Sequence, residues 1–356
     1  MPIISKEQAV CIFYCQEYNE SNVAELTKRI EEMKDVDICY LEDPTEPILA
    51  CIITINSRPF RYHLYTTGIP RTDDNQQEEN KVQFVSHAQV IQFLNIAYLP
   101  SDPMNEEVYE CKSLANSDIL SMVCKYTDLF DKKTVISFGK WCTNKVDFTA
   151  AHSKRRQCDS GKVSVRSLFV AKEQYIDDIA KKVLDYLPHY QLLIQNLKKE
   201  KYNIVGYARK SRTNENDESR TRLLQQMASR LKERSLVDKI FVSPRANANE
   251  LMVERDLITN EDLFKQLTVD GDAQDLLNYI NQNKNICLII LGYAGLSTNC
   301  KDLETFLRNS KNICKIIVDH LPFDNTINIY NCCELLQDPK KLQIFNCRTR
   351  TYQRSK

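Results

Sequence analysis

Glycine is scarce in this sequence, with 7 residues among 356. Few positions therefore remain where the backbone could wrap closely around a phosphate group. No G-x-x-x-x-G-K-[ST] motif occurs, and the "GYAG" of residues 292–295 lacks the spacing of a dinucleotide-binding loop. The scarcity of glycine argues against an ordinary nucleotide-dependent enzyme.

Regularly spaced cysteines are also lacking. The 14 cysteines form no C-x-x-C pair, and several lie inside apolar stretches such as "ILACIITI" and "ICLIILGY". Cysteine acts there as a small hydrophobic residue, which predicts reduced thiols in an intracellular compartment, the nucleus or the cytoplasm. The best candidate for a metal site, Cys142, His152 and Cys158, has irregular spacing and no fourth ligand, so no metal and no cofactor are expected.

Long hydrophobic runs are missing as well. No uncharged stretch of 18 apolar residues occurs, so we expect no membrane span. The opening "MPIISKEQAVCIFYCQEYNE" has no long apolar block followed by a small-residue cleavage site, so we do not expect secretion. Hydrophobic residues nevertheless make up 42% of the 356 residues, which is enough for the cores of two domains.

Charge is balanced in total but unevenly distributed. Basic and acidic residues number 48 each, yet residues 132–166 contain nine basic and two acidic residues, and residues 340–356 contain six basic and no acidic residues. Local positive fields of this kind predict binding to a polyanion such as DNA, although a solvated loop and a frayed terminus would give the same pattern.

The cations expected to contact nucleic acid are Lys140, Lys154, Arg155, Arg156, Arg220 and Arg222. The single tryptophan, Trp141, lies among the first of them. An aromatic ring between cations suits a nucleic-acid surface, because bases stack on rings while phosphates bind cations. A lone tryptophan is more often part of a hydrophobic core than a platform for bases.

Periodicity divides the chain into five regions. Residues 1–130 are expected to form an α+β domain of unknown role, residues 131–170 a basic segment, residues 171–200 a connecting helix, residues 201–325 an α/β domain and residues 326–356 a basic tail. Pro188 should kink or divide the connecting helix, whose apolar stripe could pair with a second copy of the chain in a homo-oligomer.

The α/β domain is expected because fully apolar strands alternate with amphipathic helices. "YNIVGYA", "ICLIILGY" and "CKIIVDHL" are such strands. This pattern is typical of a mostly parallel sheet covered by helices on both faces. Reactive residues in these sheets cluster where strands end, and Ser211 follows the first strand.

The stretch "VGYARKS", followed by a helix with an early glutamine, resembles the catalytic domain of the serine recombinases, the resolvase and invertase family, over residues 202–321. The resemblance implies a three-layer α/β fold and cleavage and rejoining of DNA through a phosphoserine ester, without a metal. By resemblance Ser211 would be the nucleophile and Arg209 the group that steadies the phosphate.

Two further residues match the family more loosely. Gln225 (or Gln226) fits the glutamine of the helix after the first strand, and Arg255 fits the arginine after the second strand, with Arg245 as its rival. Such a site is chemically sensible, because a serine hydroxyl is a poor nucleophile unless the charge of the phosphate is offset. Guanidinium groups offset it well, since their planar fork makes two charge-assisted hydrogen bonds at once.

The third strand departs from the family pattern. The family reads approximately Leu-Asp-Arg-Leu-x-Arg, whereas this chain reads "LGYAGLST". Gly292 stands where the aspartate is expected, and Tyr293 and Leu296 stand where the arginines are expected. Three hypotheses follow: an active recombinase of mobile-element origin, a catalytically inactive descendant that binds DNA or a protein partner, or an unrelated intracellular α/β protein in which Ser211 caps a turn.

Overall fold

The chain divides into two compact units, residues 1–189 and residues 190–356. The computed structural model describes residues 3–68, 83–158, 161–258, 261–320 and 325–347. The sequence predicts a boundary near residues 199–201, whereas the division falls earlier, inside a long helix.

The first unit contains two antiparallel sheets. In chain order its elements are α1 (Lys6–Phe13), α2 (Glu20–Glu32), β1 (Val36–Tyr40), β2 (Ile48–Cys51), α3 (Ile52–Ser57), β3 (His63–Leu64), α4 (His87–Ala97), β4 (Tyr98–Leu99), β5 (Tyr109–Ala115), α5 (Asn116–Val123), α6 (Val135–Cys142), β6 (Ser153–Cys158), β7 (Gly161–Ala171) and the first part of α7 (Glu173–Lys199). One sheet has the order β2-β1-β3, and the other has the order β4-β7-β5 with β6 paired to β7.

Residues 131–170 are not a separate basic segment but part of this first unit. They supply α6, β6 and β7, and β7 pairs with both β5 and β6. Phe138, Phe148 and Leu168 are fully buried in the core of the unit. The predicted segment is corrected because apolar side chains of residues 131–170 join this core, while the cations Lys140, Lys145, Lys154, Arg155 and Arg156 are exposed.

Helix α7 runs without interruption through Pro188, so the proline does not divide it. Its side chains at three- and four-residue steps are buried, as its periodicity predicts. Tyr175, Ile179 and Val183 belong to the core of the first unit, and Ile194 and Leu197 are buried in the second.

The second unit is built on a five-stranded sheet. In chain order its further elements are β8 (Asn203–Arg209), α8 (Asp217–Ser235), β9 (Lys239–Ser243), α9 (Glu261–Phe264), α10 (Ala273–Gln282), β10 (Ile286–Leu291), α11 (Cys300–Asn309), β11 (Ile313–Asp319), β12 (Ile327–Asn331), α12 (Cys332–Gln337) and α13 (Pro339–Leu342). The strand order is β12-β11-β10-β8-β9. Only β12 is antiparallel to its neighbour, so the prediction of a mostly parallel sheet is confirmed.

Helices cover both faces of this sheet. Val205 and Tyr207 of β8 join an apolar cluster with side chains of α10, α11 and α12. Successive residues of a strand face opposite sides of the sheet, so Gly206 lies on the side opposite to Val205 and Tyr207. A Cβ atom at Gly206 would lie 3.1 Å from Leu231 of α8, which explains why a glycine lets this helix lie close to the strand.

Residues 326–347 are not a basic tail, and that prediction is corrected. Strand β12 completes the sheet, and α12, α13 and a short 3-10 helix at Gln343–Phe345 return to its core. Leu335, Leu342 and Phe345 are buried in the apolar cluster. Residues 348–356, which contain the remaining cations of the predicted tail, lie outside the described residues.

Substitution of Phe345 tests whether this segment is integral to the second unit. Phe345 is 0% exposed, whereas its neighbour Ile344 is 45% exposed. Phe345→Ala is expected to lower the free energy of unfolding by about 3–5 kcal/mol. Ile344→Ala is the matched control and should change it by less than about 0.5 kcal/mol. Urea unfolding followed by circular dichroism measures both, and equal effects would contradict the burial of the segment.

Candidate functional site

The candidate site lies where the order of the parallel strands reverses in the sheet of the second unit. The chain passes from β8 outward to β9 and then returns past β8 to β10, so β8 lies between them. Ligands of open parallel sheets bind at the carboxyl ends of the strands at such a switch point. Here that position carries Arg209 at the end of β8, Ser211 after it, and Gly292, Tyr293 and Ala294 after β10.

The hydroxyl of Ser211 is half-buried and faces one guanidinium group. Nη1 of Arg209 donates a hydrogen bond to Ser211 Oγ at 3.1 Å. The Arg-x-Ser motif therefore brings Arg209 and Ser211 together, as the sequence predicts. Among the described residues, no second guanidinium donates to the Ser211 hydroxyl, and no side chain accepts its proton.

Arg209 itself is buried and serves the backbone as well as the serine. Its Nε and Nη2 donate to the carbonyl oxygen of Ala294 at 3.1 and 2.7 Å, and its Nη1 donates to the carbonyl oxygen of Ala246 at 2.5 Å. A buried charge is tolerated when hydrogen bonds satisfy it. The guanidinium therefore fixes the loops after β9 and β10 against the end of β8.

Arg220 holds the loop that contains Ser211 from the other side. It is expected at a nucleic-acid surface, but it is only 1% exposed. Its Nη1 donates to the carbonyl oxygens of Ser211 at 2.9 Å and Pro244 at 2.8 Å, and its Nη2 donates to that of Thr213 at 3.0 Å. Arg220 is thus a structural brace of the site rather than a surface cation.

Arg255 is fully buried in the interior of the unit and donates to partners other than the Ser211 hydroxyl. Its Nε and Nη2 donate to the carbonyl oxygen of Glu250, and its Nη1 donates to the hydroxyl of Tyr207 at 3.0 Å. The Tyr207 and Ser243 hydroxyls are 2.6 Å apart, and Ser243 donates to Asp256. Burial is the main reason that the pKa of Asp256 is raised above its ordinary value.

The remaining predicted residues of this site are engaged or distant. Gln225 accepts a hydrogen bond from the backbone N–H of Thr268 at 2.8 Å, so its amide serves a loop of the fold. Arg245, the rival of Arg255, pairs with Asp217 at the surface. Arg222 is exposed on α8, as a nucleic-acid contact requires.

The third strand ends without charge. Gly292 has a φ of +71°, a conformation that favours glycine, and its backbone N–H bonds to the carbonyl oxygen of Asp319. Tyr293 packs against the rings of His320 and Phe345. Leu296 is fully buried. The positions where arginines are expected therefore hold an aromatic contact and a core side chain.

A cleft of about 810 Å³ opens beside the Ser211 loop. Its lining combines three arginines, three acidic residues and two exposed apolar residues: Arg212, Arg220, Arg245, Glu215, Glu254, Asp256, Leu257 and Ile258. Arg212 and Arg245 are paired with Glu250 and Asp217. The mixture of paired charges gives the cleft less positive potential than its arginine count suggests.

The other predicted nucleic-acid contacts lie in the first unit. Lys154, Arg155 and Arg156 are consecutive exposed residues of β6, and Lys140 is exposed at the end of α6. Strand β6 pairs on one side with β7 and is an edge strand within the described part of the chain. Trp141 is half-buried and packs partly against the core.

No metal centre is formed by the residues that the structure describes, since no three His, Cys, Asp or Glu side chains among them could hold an ion. Burial raises the pKa of the Cys142 thiol to about 12, so it stays protonated at neutral pH and is a poor ligand. His152 is exposed. Within the same described ranges, no helix is long and apolar enough to cross a membrane.

The sequence missed the bracing roles of Arg209 and Arg220 and the buried chain of hydroxyls at Tyr207 and Ser243. Backbone carbonyls are the main partners of the two arginines, and every residue has one, so no sequence signal distinguishes them. Tyr207 and Ser243 bond to each other and to Arg255 and Asp256. Comparison with known proteins adds no family, because no family model, no curated protein and no solved structure matches this chain.

Substitution of Arg220 tests its bracing role, with Arg222 of the same helix as the matched control. Arg220→Met leaves buried carbonyls without donors, so we expect a loss of about 3 kcal/mol or more in the free energy of unfolding. Arg222→Met should change it by less than about 0.5 kcal/mol because Arg222 is exposed. Urea titration of the two variants measures the difference. Equal stability of both would mean that Arg220 does not hold the loop.

Proposed function

We propose that the protein is a DNA-binding module whose second unit is a serine-recombinase-like domain that no longer exchanges DNA strands. The resemblance of "VGYARKS" supports this kinship, as does the position of Ser211 at the carboxyl edge of a mostly parallel sheet. The hydrogen bond between Arg209 and Ser211 keeps the two residues in the relation that the motif requires.

One observation carries the proposed loss of catalysis. Among the described residues, Arg209 is the only guanidinium that donates to the Ser211 hydroxyl, and it also donates to two backbone carbonyls. Removing one donor to a developing anion typically costs about 2.7–4 kcal/mol of transition-state stabilisation. With Tyr293 and Leu296 in place of two arginines, strand cleavage would lose several such donors.

The proposed DNA binding depends on exposed cations in both units. Lys140, Lys154, Arg155 and Arg156 belong to the first unit, and Arg222 belongs to the second. None of them is buried, so each could reach a phosphate without breaking a core contact. Phosphate contacts release counterions from DNA, and binding of this kind weakens steeply as salt is raised.

The first test concerns the chemistry of Ser211. The full chain is incubated with supercoiled plasmid DNA, and covalent protein–DNA complexes are sought after denaturation. We expect none, and we expect Ser211→Ala to bind duplex DNA with unchanged affinity, because the hydroxyl forms no phosphoester. A covalent complex that is lost in Ser211→Ala would replace this proposal with the active recombinase.

The second test concerns the cations of β6. The triple variant Lys154→Gln, Arg155→Gln, Arg156→Gln should weaken duplex binding and reduce the slope of log affinity against log salt by roughly one for each cation that contacts a phosphate. The control triple, Lys34→Gln, Arg58→Gln and Arg61→Gln, removes the same charge from exposed positions elsewhere in the first unit. Fluorescence anisotropy of a labelled duplex between about 50 and 200 mM salt measures both.

Two results of the salt series would contradict the proposal. Binding that does not depend on salt would mean that phosphates are not the ligand. Equal slopes for the two triple variants would mean that β6 has no special role in binding.

A further inference from the structure

A compact group of aromatic and cationic side chains lies at the surface of the first unit. The ring of His87, the first residue of α4, lies 5.4 Å from the ring of Trp141 in α6. The ammonium of Lys145 lies 5.5 Å from the centre of the indole. His87 and Lys145 are exposed, and Trp141 is half-buried. We call these three residues the aromatic–cation patch.

Two phenylalanines of the core hold the indole of this patch in place. Phe138 stacks on Trp141 with ring centres 6.0 Å apart and planes inclined by 24°, and Phe130 presents its edge at 4.8 Å. Both phenylalanines are buried in the core of the first unit. A ring that is already held in one orientation loses little conformational freedom when a ligand stacks on it.

Positive charge surrounds the patch. Partial burial is the main reason that the pKa of His87 lies below its ordinary value of 6.5, and the positive charges of Lys145 and Lys133 lower it further. Lys140, the residue before Trp141, is also exposed. Lysines 133, 140 and 145 form no ion pair with another described residue, so their charges are available to an anion.

The patch also contains hydrogen-bonding atoms without partners. Neither ring nitrogen of His87 nor Nε1 of Trp141 bonds to another residue in the described part of the chain. A neutral imidazole offers one donor and one acceptor, and an indole offers one donor. Flat ring surfaces, free edge donors and adjacent cations are together the requirements for an unpaired nucleotide, which has an aromatic face, a polar edge and a phosphate.

We propose that His87, Trp141 and Lys145 form a binding site for an unpaired base of single-stranded nucleic acid, with the flanking phosphates on Lys140 and Lys133. This inference rests on the proposed function in taking nucleic acid as the partner. It goes beyond that function because the bases of an intact duplex are stacked on one another and cannot enter the patch. Single-stranded DNA and single-stranded RNA both supply unpaired bases and flanking phosphates, so either could bind the patch.

The tryptophan supplies its own readout, because the chain has one. The full chain is titrated with oligothymidylate and, separately, with oligouridylate, while indole fluorescence is recorded. A base stacked on Trp141 should quench the emission in a saturable manner. Anisotropy of a labelled copy of each oligonucleotide measures binding independently, and a labelled duplex measures the proposed function in the same buffer.

Substitutions distinguish stacking of a base on Trp141 from electrostatic attraction between lysines and phosphates. Trp141→Ala is expected to weaken single-strand affinity by roughly 5- to 150-fold. Trp141→Phe keeps a ring on the core and should retain most of the affinity, and circular dichroism of Trp141→Ala checks that this variant is folded. His87→Ala and Lys145→Gln should reduce both affinity and quenching, whereas the exposed control Lys34→Gln should change neither.

The outcomes distinguish this inference from the proposed function. Single strands that bind by anisotropy without changing indole fluorescence would overturn the inference, even if the duplex also binds. Absence of single-strand binding would overturn it as well. Quenching by single strands together with no duplex binding would support the patch and contradict the duplex-binding module. Quenching by only one of the two oligonucleotides would assign the patch to DNA or to RNA.

Discussion

The guanidinium of Arg209 connects the segments that follow three neighbouring strands of the second unit. It donates to the Ser211 hydroxyl after β8, to the carbonyl oxygen of Ala246 after β9 and to that of Ala294 after β10. These acceptors satisfy the buried charge, and the guanidinium in turn joins the loops after β9 and β10 to the end of β8. The geometry of the candidate site depends on this one side chain.

The same arrangement limits what the site can do. A guanidinium nitrogen that donates to a backbone carbonyl is not available to a phosphate oxygen unless that carbonyl finds another donor. Arg220 and Arg255 are engaged in the same way, with carbonyls of Pro244 and Glu250 among their acceptors. Arg209 and Arg220 are thus committed to holding the loop of Ser211, which argues against phosphoryl transfer at this site.

Much of the second unit could be predicted from the sequence, because fully apolar strands and amphipathic helices have strong periodic patterns. β8, β10 and β11 appear where those patterns lie. The final β12–α13 segment was missed because its elements are short, and only the burial of Phe345 in the three-dimensional core reveals them. The pairing of Arg209 with Ser211 followed from their spacing, whereas the partners of Arg220 did not, since backbone acceptors have no sequence signature.

Within the ranges that the structure describes, strand β6 pairs on one side only, and Lys154, Arg155 and Arg156 lie along it. Open edges invite other strands to add to the sheet, and a row of like charges opposes this by repulsion between two copies. The three cations would therefore protect the protein against edge-to-edge aggregation. Removal of the three charges by substitution would expose this edge to pairing with another strand.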